Sequence, residues 1–125
     1  MRQSPSDIFA MLESHSLWLR QDLRGFRIDL SLCNLTGMDF SHADLRRARL
    51  VGASFKHGSL AGAILQEADL FGADLDNANL TMADLAGAIL RGARLVGAEM
   101  PGARIAEKRV DERAALVASS LLVVW

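Results

Sequence analysis

A chain of 125 residues, half of them hydrophobic and only 6% aromatic, is the size of one domain with its own core. Its net charge of −1 excludes a general attraction to nucleic acid or to an anionic membrane. One cysteine excludes an internal disulfide, MRQSPSDIF lacks a signal-peptide pattern, and no segment reaches the roughly 18 apolar residues that span a bilayer, so a cytoplasmic location is expected.

The first element predicted is a helix. Ser4-Pro5-Ser6-Asp7 supplies a Ser N-cap, a Pro in the first turn and an early acid facing the helix dipole. A helix over Ser6–Arg20 places Ile8, Met11, Leu12, His15, Trp18 and Leu19 on one face. Residues 1–27 are read as a capping helix and lead-in, with Trp18 covering the end of the next element. His15, on the same apolar face, is expected to be a satisfied packing histidine and not a ligand.

From Ile28 to Glu107 a five-residue unit repeats sixteen times without a slip. A large apolar residue stands at every fifth position from Leu30 to Ile105: twelve Leu, with Phe40, Phe55, Met100 and Ile105. Two positions earlier stands Ala in twelve units, otherwise Ile28, Cys33, Met38 or Gly58. Neither a 3.6-residue helix nor a 2-residue strand keeps every fifth side chain on one side. A strict period of five requires a bend in every unit, hence a coil and a solenoid, and eight units end in Gly where bending is easiest. Cys33 fills an inward position and is read as a small buried hydrophobe.

The stretch AGAIL-QEADL-FGADL-DNANL-TMADL-AGAIL-RGARL-VGAEM, residues 61–100, resembles the pentapeptide-repeat family, whose units read A-(D/N)-L-x-x. The resemblance implies an all-β fold, a right-handed quadrilateral β-helix of about four coils with four units per coil, over residues 28–107. The lead-in His15–Leu35 also looks like that of bacterial members. Rungs about 4.8 Å apart give a column roughly 19 Å tall.

Past Ile105 the period of five ends. Val110, Ala114, Val117, Leu121 and Val124 follow helical spacings, so residues 108–125 are read as an apolar helix. Leu116, Leu122, Val123 and Trp125 lie off that seam. A second apolar side calls for another partner, most simply the same helix of a second copy, making a homodimer; capping alone is the other reading. Membrane-surface binding by this tail is not expected, because no extended basic face flanks it.

In coils of twenty residues, positions twenty apart stack. The outward ladders then read Asp29-Arg49-Asp69-Ile89, Asn34-Ser54-Asp74-Arg94, Asp39-Ser59-Asn79-Glu99 and Asp44-Ile64-Asp84-Arg104. Arg49 falls between two aspartates, and Arg94 and Arg104 follow Asp74 and Asp84. Some family members resemble duplex DNA and bind DNA gyrase in its place. Such mimicry needs a long rod with uncompensated carboxylates. Here Ile28–Glu107 carries ten acids against seven bases, a net −3, on a short solenoid, which disfavours that activity and direct nucleic-acid binding.

Beside the first ladder stack Ser31, Val51, Phe71 and Arg91. Val51, Phe71, Ile89 and Arg91 form a candidate contact for an unidentified protein partner, with Leu32 near its lower end; a flanking helix folding over this face is the alternative. Nothing converges for catalysis. His42 and His57 lie on different faces, the aspartates sit on convex exteriors, and the corner glycines form no phosphate loop, so neither an enzyme, a metal site nor a cofactor is expected. The expected function is a rigid, non-enzymatic protein-interaction or scaffold module.

Overall fold

The structure, a computed structural model, describes residues 4–105. The helix forms at Pro5–Leu19, here α1, one residue ahead of the expected bounds. Ser4 is its N-cap, with Oγ accepting the Asp7 N–H at 3.2 Å, and Pro5 takes the first helical position, where a missing N–H is harmless.

The pentapeptide segment closes into coils of twenty residues. Twelve parallel bridges join rungs twenty apart, among them Asp29 to Arg49, Arg49 to Asp69 and Asp69 to Ile89, and they reproduce all four expected ladders. The bend itself is a tight turn after each core residue. The Cys33 N–H, for example, reaches back to the Leu30 carbonyl at 3.1 Å, and its third residue, Leu32, has φ of 62° while Ser31 does not go positive. A positive φ confined to that position is the type II signature. Glycine there, as at Gly72 with φ 66°, adopts it without strain. At other corners Leu32, His42, Arg47, His57, Glu67, Asn77 and Met82 accept it.

Eight outward Asp and Asn residues have a second task. In each, Oδ1 accepts the backbone N–H two residues on, at 2.9–3.3 Å, from Asp29 with Ser31 to Asp84 with Ala86. These Asx turns satisfy a corner donor that the coil would otherwise leave to water. The Asp or Asn of the repeat is thus part of the bend.

Inside, Leu30, Leu35, Leu45, Leu50, Leu65 and Leu70 are fully buried, as are most of the Ala residues between them. Burying one Leu contributes roughly 1.5–3 kcal/mol, and the bore holds little else. The one bulky layer sets Phe40 edge-on to Phe55, centroids 5.5 Å apart, and there the inward position is Gly58, where an added Cβ would lie 2.8 Å from the Met38 carbonyl oxygen. Cys33 is a buried free thiol, as read.

Helix α1 lies under the first coil, reaching from Thr36–Phe40 at its N-terminal end to Arg46 and Ile28 at its C-terminal end. The residue that seals the bore differs from the expected one. His15, not Trp18, is fully buried; Trp18 is half-buried at the rim and stacks on the imidazole, centroids 5.5 Å apart. His15 Nδ1 accepts the Ile28 N–H at 3.0 Å, and Nε2 lies 2.8 Å from the Arg46 carbonyl oxygen. Because an amide can only donate and a carbonyl only accept, the proton sits on Nε2 and the ring is neutral. Imidazole wins over indole because the first coil offers one unpaired donor and one unpaired acceptor, which a neutral imidazole can bridge and an indole, a donor only, cannot. No helix among the described residues is long and apolar enough to cross a membrane.

Candidate functional site

The candidate contact lies on the face that carries Asp29, Arg49, Asp69 and Ile89. Inter-coil hydrogen bonds fix its backbone: Gly52 N–H to the Phe71 carbonyl at 2.8 Å, and Gly72 N–H to the Arg91 carbonyl at 2.9 Å. Phe71 N–H is further held by Asp69 Oδ1 at 3.1 Å. On this frame Phe71 is 47% exposed, Ile89 37% and Leu32 74%, while Val51 is half-buried. Arg91 is exposed at the top of the same column. Because α1 docks beneath the first coil, it leaves this face uncovered. The structure therefore brings Val51, Phe71, Ile89 and Arg91 together along one edge, with Val51, Phe71 and Arg91 on successive rungs and Ile89 on the rung of Arg91.

The charges around the faces are committed in ways the ladders only partly foretold. Arg49 Nε lies 3.6 Å from Asp29, and Arg104 lies 3.7 Å from Asp84, which also accepts the Gln66 amide at 2.8 Å. Arg94 departs from the expected pairing with Asp74. Its Nε and Nη2 donate to Asp76 Oδ2 at 3.0 and 2.8 Å, and Asp76 Oδ1 accepts the Val96 N–H at 2.9 Å. Asp76 is buried and stands one rung below Val96. It replaces an Asx turn that position 94, being Arg, cannot form. Ser31 does the same for Val51, its Oγ accepting that N–H at 3.2 Å where Arg49 occupies the Asx position. The signal was present in the sequence: a non-Asx ladder residue with a polar residue beneath the following corner.

The hydrogen bonds to the aspartates depress their pKa values. Ser31 lowers that of Asp29, Ser41 that of Asp39 and Arg46 that of Asp44, while Asp22 falls to about 2 through Arg24. Burial pushes Asp84 the other way, but Gln66, Ala86 and Arg104 outweigh it. The lowered values keep these carboxylates ionised, and Arg46, Arg49, Arg94 and Arg104, set against Asp44, Asp29, Asp76 and Asp84, interrupt any continuous anionic stripe.

His42 and His57 stand at separate corners, and among the described residues no group of His, Cys, Asp and Glu is placed to hold a metal ion. The proposed dimer helix residues Val110, Ala114, Val117, Leu121, Val124 and Trp125 lie outside the described residues.

The profile for pentapeptide repeats matches residues 28–67 and 68–105. Among solved structures the chain is similar to a pentapeptide repeat protein from Nostoc PCC 7120, with 30% identity over 78% of this chain and 74% of that one, and a TM-score of 0.68. It is also similar to HetL of the same cyanobacterium, involved in heterocyst differentiation regulation, at 41% identity over 66% of this chain and a TM-score of 0.60. A protein of the Arabidopsis thaliana thylakoid lumen gives 34% identity over 66% of this chain, again with a TM-score of 0.60. The chain spans 59% of the lumenal protein and 38% of HetL. No curated protein matches the sequence.

Proposed function

The chain belongs to the pentapeptide-repeat family, and on that premise we propose that it is a non-enzymatic interaction module, a right-handed quadrilateral β-helix that presents a rigid face to a protein partner. The observation that carries this reading is the adjoining exposure of Phe71, Ile89 and Leu32 beside Val51, rimmed by Arg49, Asp69 and Arg91. Apolar side chains that adjoin within a charged rim are the composition of a contact surface. Inter-coil hydrogen bonds hold the backbone beneath them, so little ordering entropy is lost on binding. The pairing of Asp29, Asp44, Asp76 and Asp84 with arginines supports contact with a protein over imitation of DNA.

The test is Phe71→Asp. The variant should fold with unchanged melting and lose the partner that the unaltered chain captures from lysate; retained capture removes this face as the site. We also propose a homodimer through residues 108–125, which rests on the two apolar sides of that segment. Light scattering at tens of micromolar should report twice the 13.6 kDa chain mass, and a monomeric mass refutes it.

A further inference from the structure

We propose that the N-terminal corner of the column, where Leu23 and Phe26 project among the arginines around Trp18, docks on an anionic lipid surface. The inference is independent of the Phe71 face and rests on three observations.

The first is a rigid apolar projection. After α1 the chain turns through residues 20–26, pinned by Asp22 N–H to the Leu17 carbonyl at 2.9 Å and Gly25 N–H to the Asp22 carbonyl at 3.0 Å. Phe26 N–H is held by Ser14 Oγ at 3.0 Å, and Gly25 packs so closely on the Trp18 backbone nitrogen that no Cβ would fit. On this fixed turn Leu23 is 99% exposed and Phe26 74%. Both stand clear of the protein surface.

The second observation is an excess of arginines over carboxylates. Near the turn and the adjoining corner lie Arg20, Arg24, Arg27, Arg46, Arg47 and Arg49, against Asp22, Asp29 and Asp44. Each aspartate already contacts one arginine: Asp22 with Arg24 at 2.6 Å, Asp44 with Arg46 at 2.7 Å and Asp29 with Arg49 at 3.6 Å. Among the described residues, Arg20, Arg27 and Arg47 have no carboxylate in salt-bridge contact. Arg27 and Arg47 are twenty apart and one rung from each other, and both guanidinium carbons lie over the Trp18 ring, at 5.7 and 4.9 Å. Two like charges on neighbouring rungs repel; the indole face offsets this and orients the guanidinium groups. Guanidinium groups held in this way match phosphate oxygens.

The third is polarity along the chain. Residues 20–49 carry a net +2, which Asp7 and Glu13 of α1 bring to zero for residues 4–49, whereas residues 50–105 carry a net −2. The charge is therefore uneven along the column, and the field of such a molecule turns its less negative end, with the arginines around Trp18 foremost, toward an anionic surface. A lipid headgroup region fits these features better than a folded partner. It admits a projecting Leu and Phe without a matching pocket, and it supplies a phosphate for every arginine. Trp18 at the rim has the amphipathic ring favoured at that depth.

The experiment uses the full chain carrying Trp125→Phe, so that Trp18 is the sole tryptophan. It is mixed with phosphatidylcholine vesicles with and without phosphatidylglycerol. Cosedimentation only with phosphatidylglycerol, weakening with salt, and quenching of Trp18 by brominated lipid are expected. Leu23→Ser/Phe26→Ser should weaken binding about tenfold or more. Arg27→Gln/Arg47→Gln should weaken it about 25-fold, about fivefold for each charge. Phe71→Ser should leave it unchanged. The exposed Leu23 and Phe26 pair decides alone if the arginine variant loses its fold by circular dichroism. Absence of binding to phosphatidylglycerol vesicles, or equal binding by the Leu23→Ser/Phe26→Ser variant, overturns the proposal. So does retention on poly-L-glutamate without vesicle binding, which would make the corner a site for an acidic protein.

Discussion

Replacing His15 by Phe tests how the column is closed. The substitution keeps a ring of similar size against Trp18 but removes both polar atoms. The Ile28 N–H loses its acceptor at 3.0 Å, and the Arg46 carbonyl loses its donor at 2.8 Å, at a site where His15 has no solvent exposure. An unsatisfied buried polar group costs about 1–3 kcal/mol, so the two together are expected to cost about 2–6 kcal/mol. That is a large share of the ~5–15 kcal/mol that holds a typical domain. The loss has a ceiling, because α1 can undock and let water satisfy both groups. A urea titration should therefore show the lower midpoint, and amide exchange should show the Ile28 N–H losing protection. The pH dependence supplies an internal check. Burial, the largest influence, holds the His15 pKa below its usual 6.5, against the opposing pull of the Arg46 carbonyl and Asp44. The unfolded chain thus binds the proton more readily, and stability falls as pH drops from about 6.5 through the lower folded value. In His15→Phe this slope should vanish. A midpoint within about 0.5 kcal/mol of the parent at pH 7.5, the ordinary range of a surface change, together with parallel pH curves, would refute the reasoning.

The remaining expectations concern corners and carboxylates. Gly72→Ala, at φ 66° with open space around its Cβ, should cost only the backbone strain of about 1–2 kcal/mol, read by thermal melting. Gly58→Ala meets the Met38 and Phe55 carbonyl oxygens at 2.8 and 3.2 Å in the bulkiest layer, and should cost about 1–3 kcal/mol through overpacking; a stabilised variant would contradict the packing account. Asp76→Ala strands the Val96 N–H and should cost about 1–3 kcal/mol, whereas Asp76→Asn keeps an acceptor there and should lose less, as denaturant melts can compare. Asp29, Asp39, Asp44 and Asp84 have folded pKa values below 3.8, so their contribution is present above 3.8 and lost as pH falls through the folded values. An acid titration should accordingly show a second loss of stability below about pH 4, distinct from that of His15.

Most of the column was legible because its period is local. Leu at every fifth position and Ala two before it define the bore, and the register of twenty in the implied fold placed Asp29 under Arg49 and Asp69 under Ile89, as the bridges do. The helix start was equally readable, since Ser4 and Pro5 act within one turn. Two pairings were not. Arg94 chose Asp76 over Asp74 because the choice depends on which backbone N–H lacks an acceptor in the next coil, here that of Val96. The plug was misread because Trp18 is the larger apolar residue, while the seal depends on two unpaired backbone groups, at Ile28 and Arg46, that exist only once the first coil has closed.

The sequence by itself determined the solenoid, its twenty-residue register and the inward set of side chains, because a repeated unit meets the same neighbours in every coil. Only the tertiary structure decided which surfaces stay open and where the arginines gather. It left Phe71 and Ile89 uncovered by α1, and it gathered Arg27 and Arg47 over Trp18 from positions far apart in the chain. Exposure and charge pairing are sums over non-local neighbours, and docking α1 beneath the first coil fixes those neighbours without any trace in the repeat.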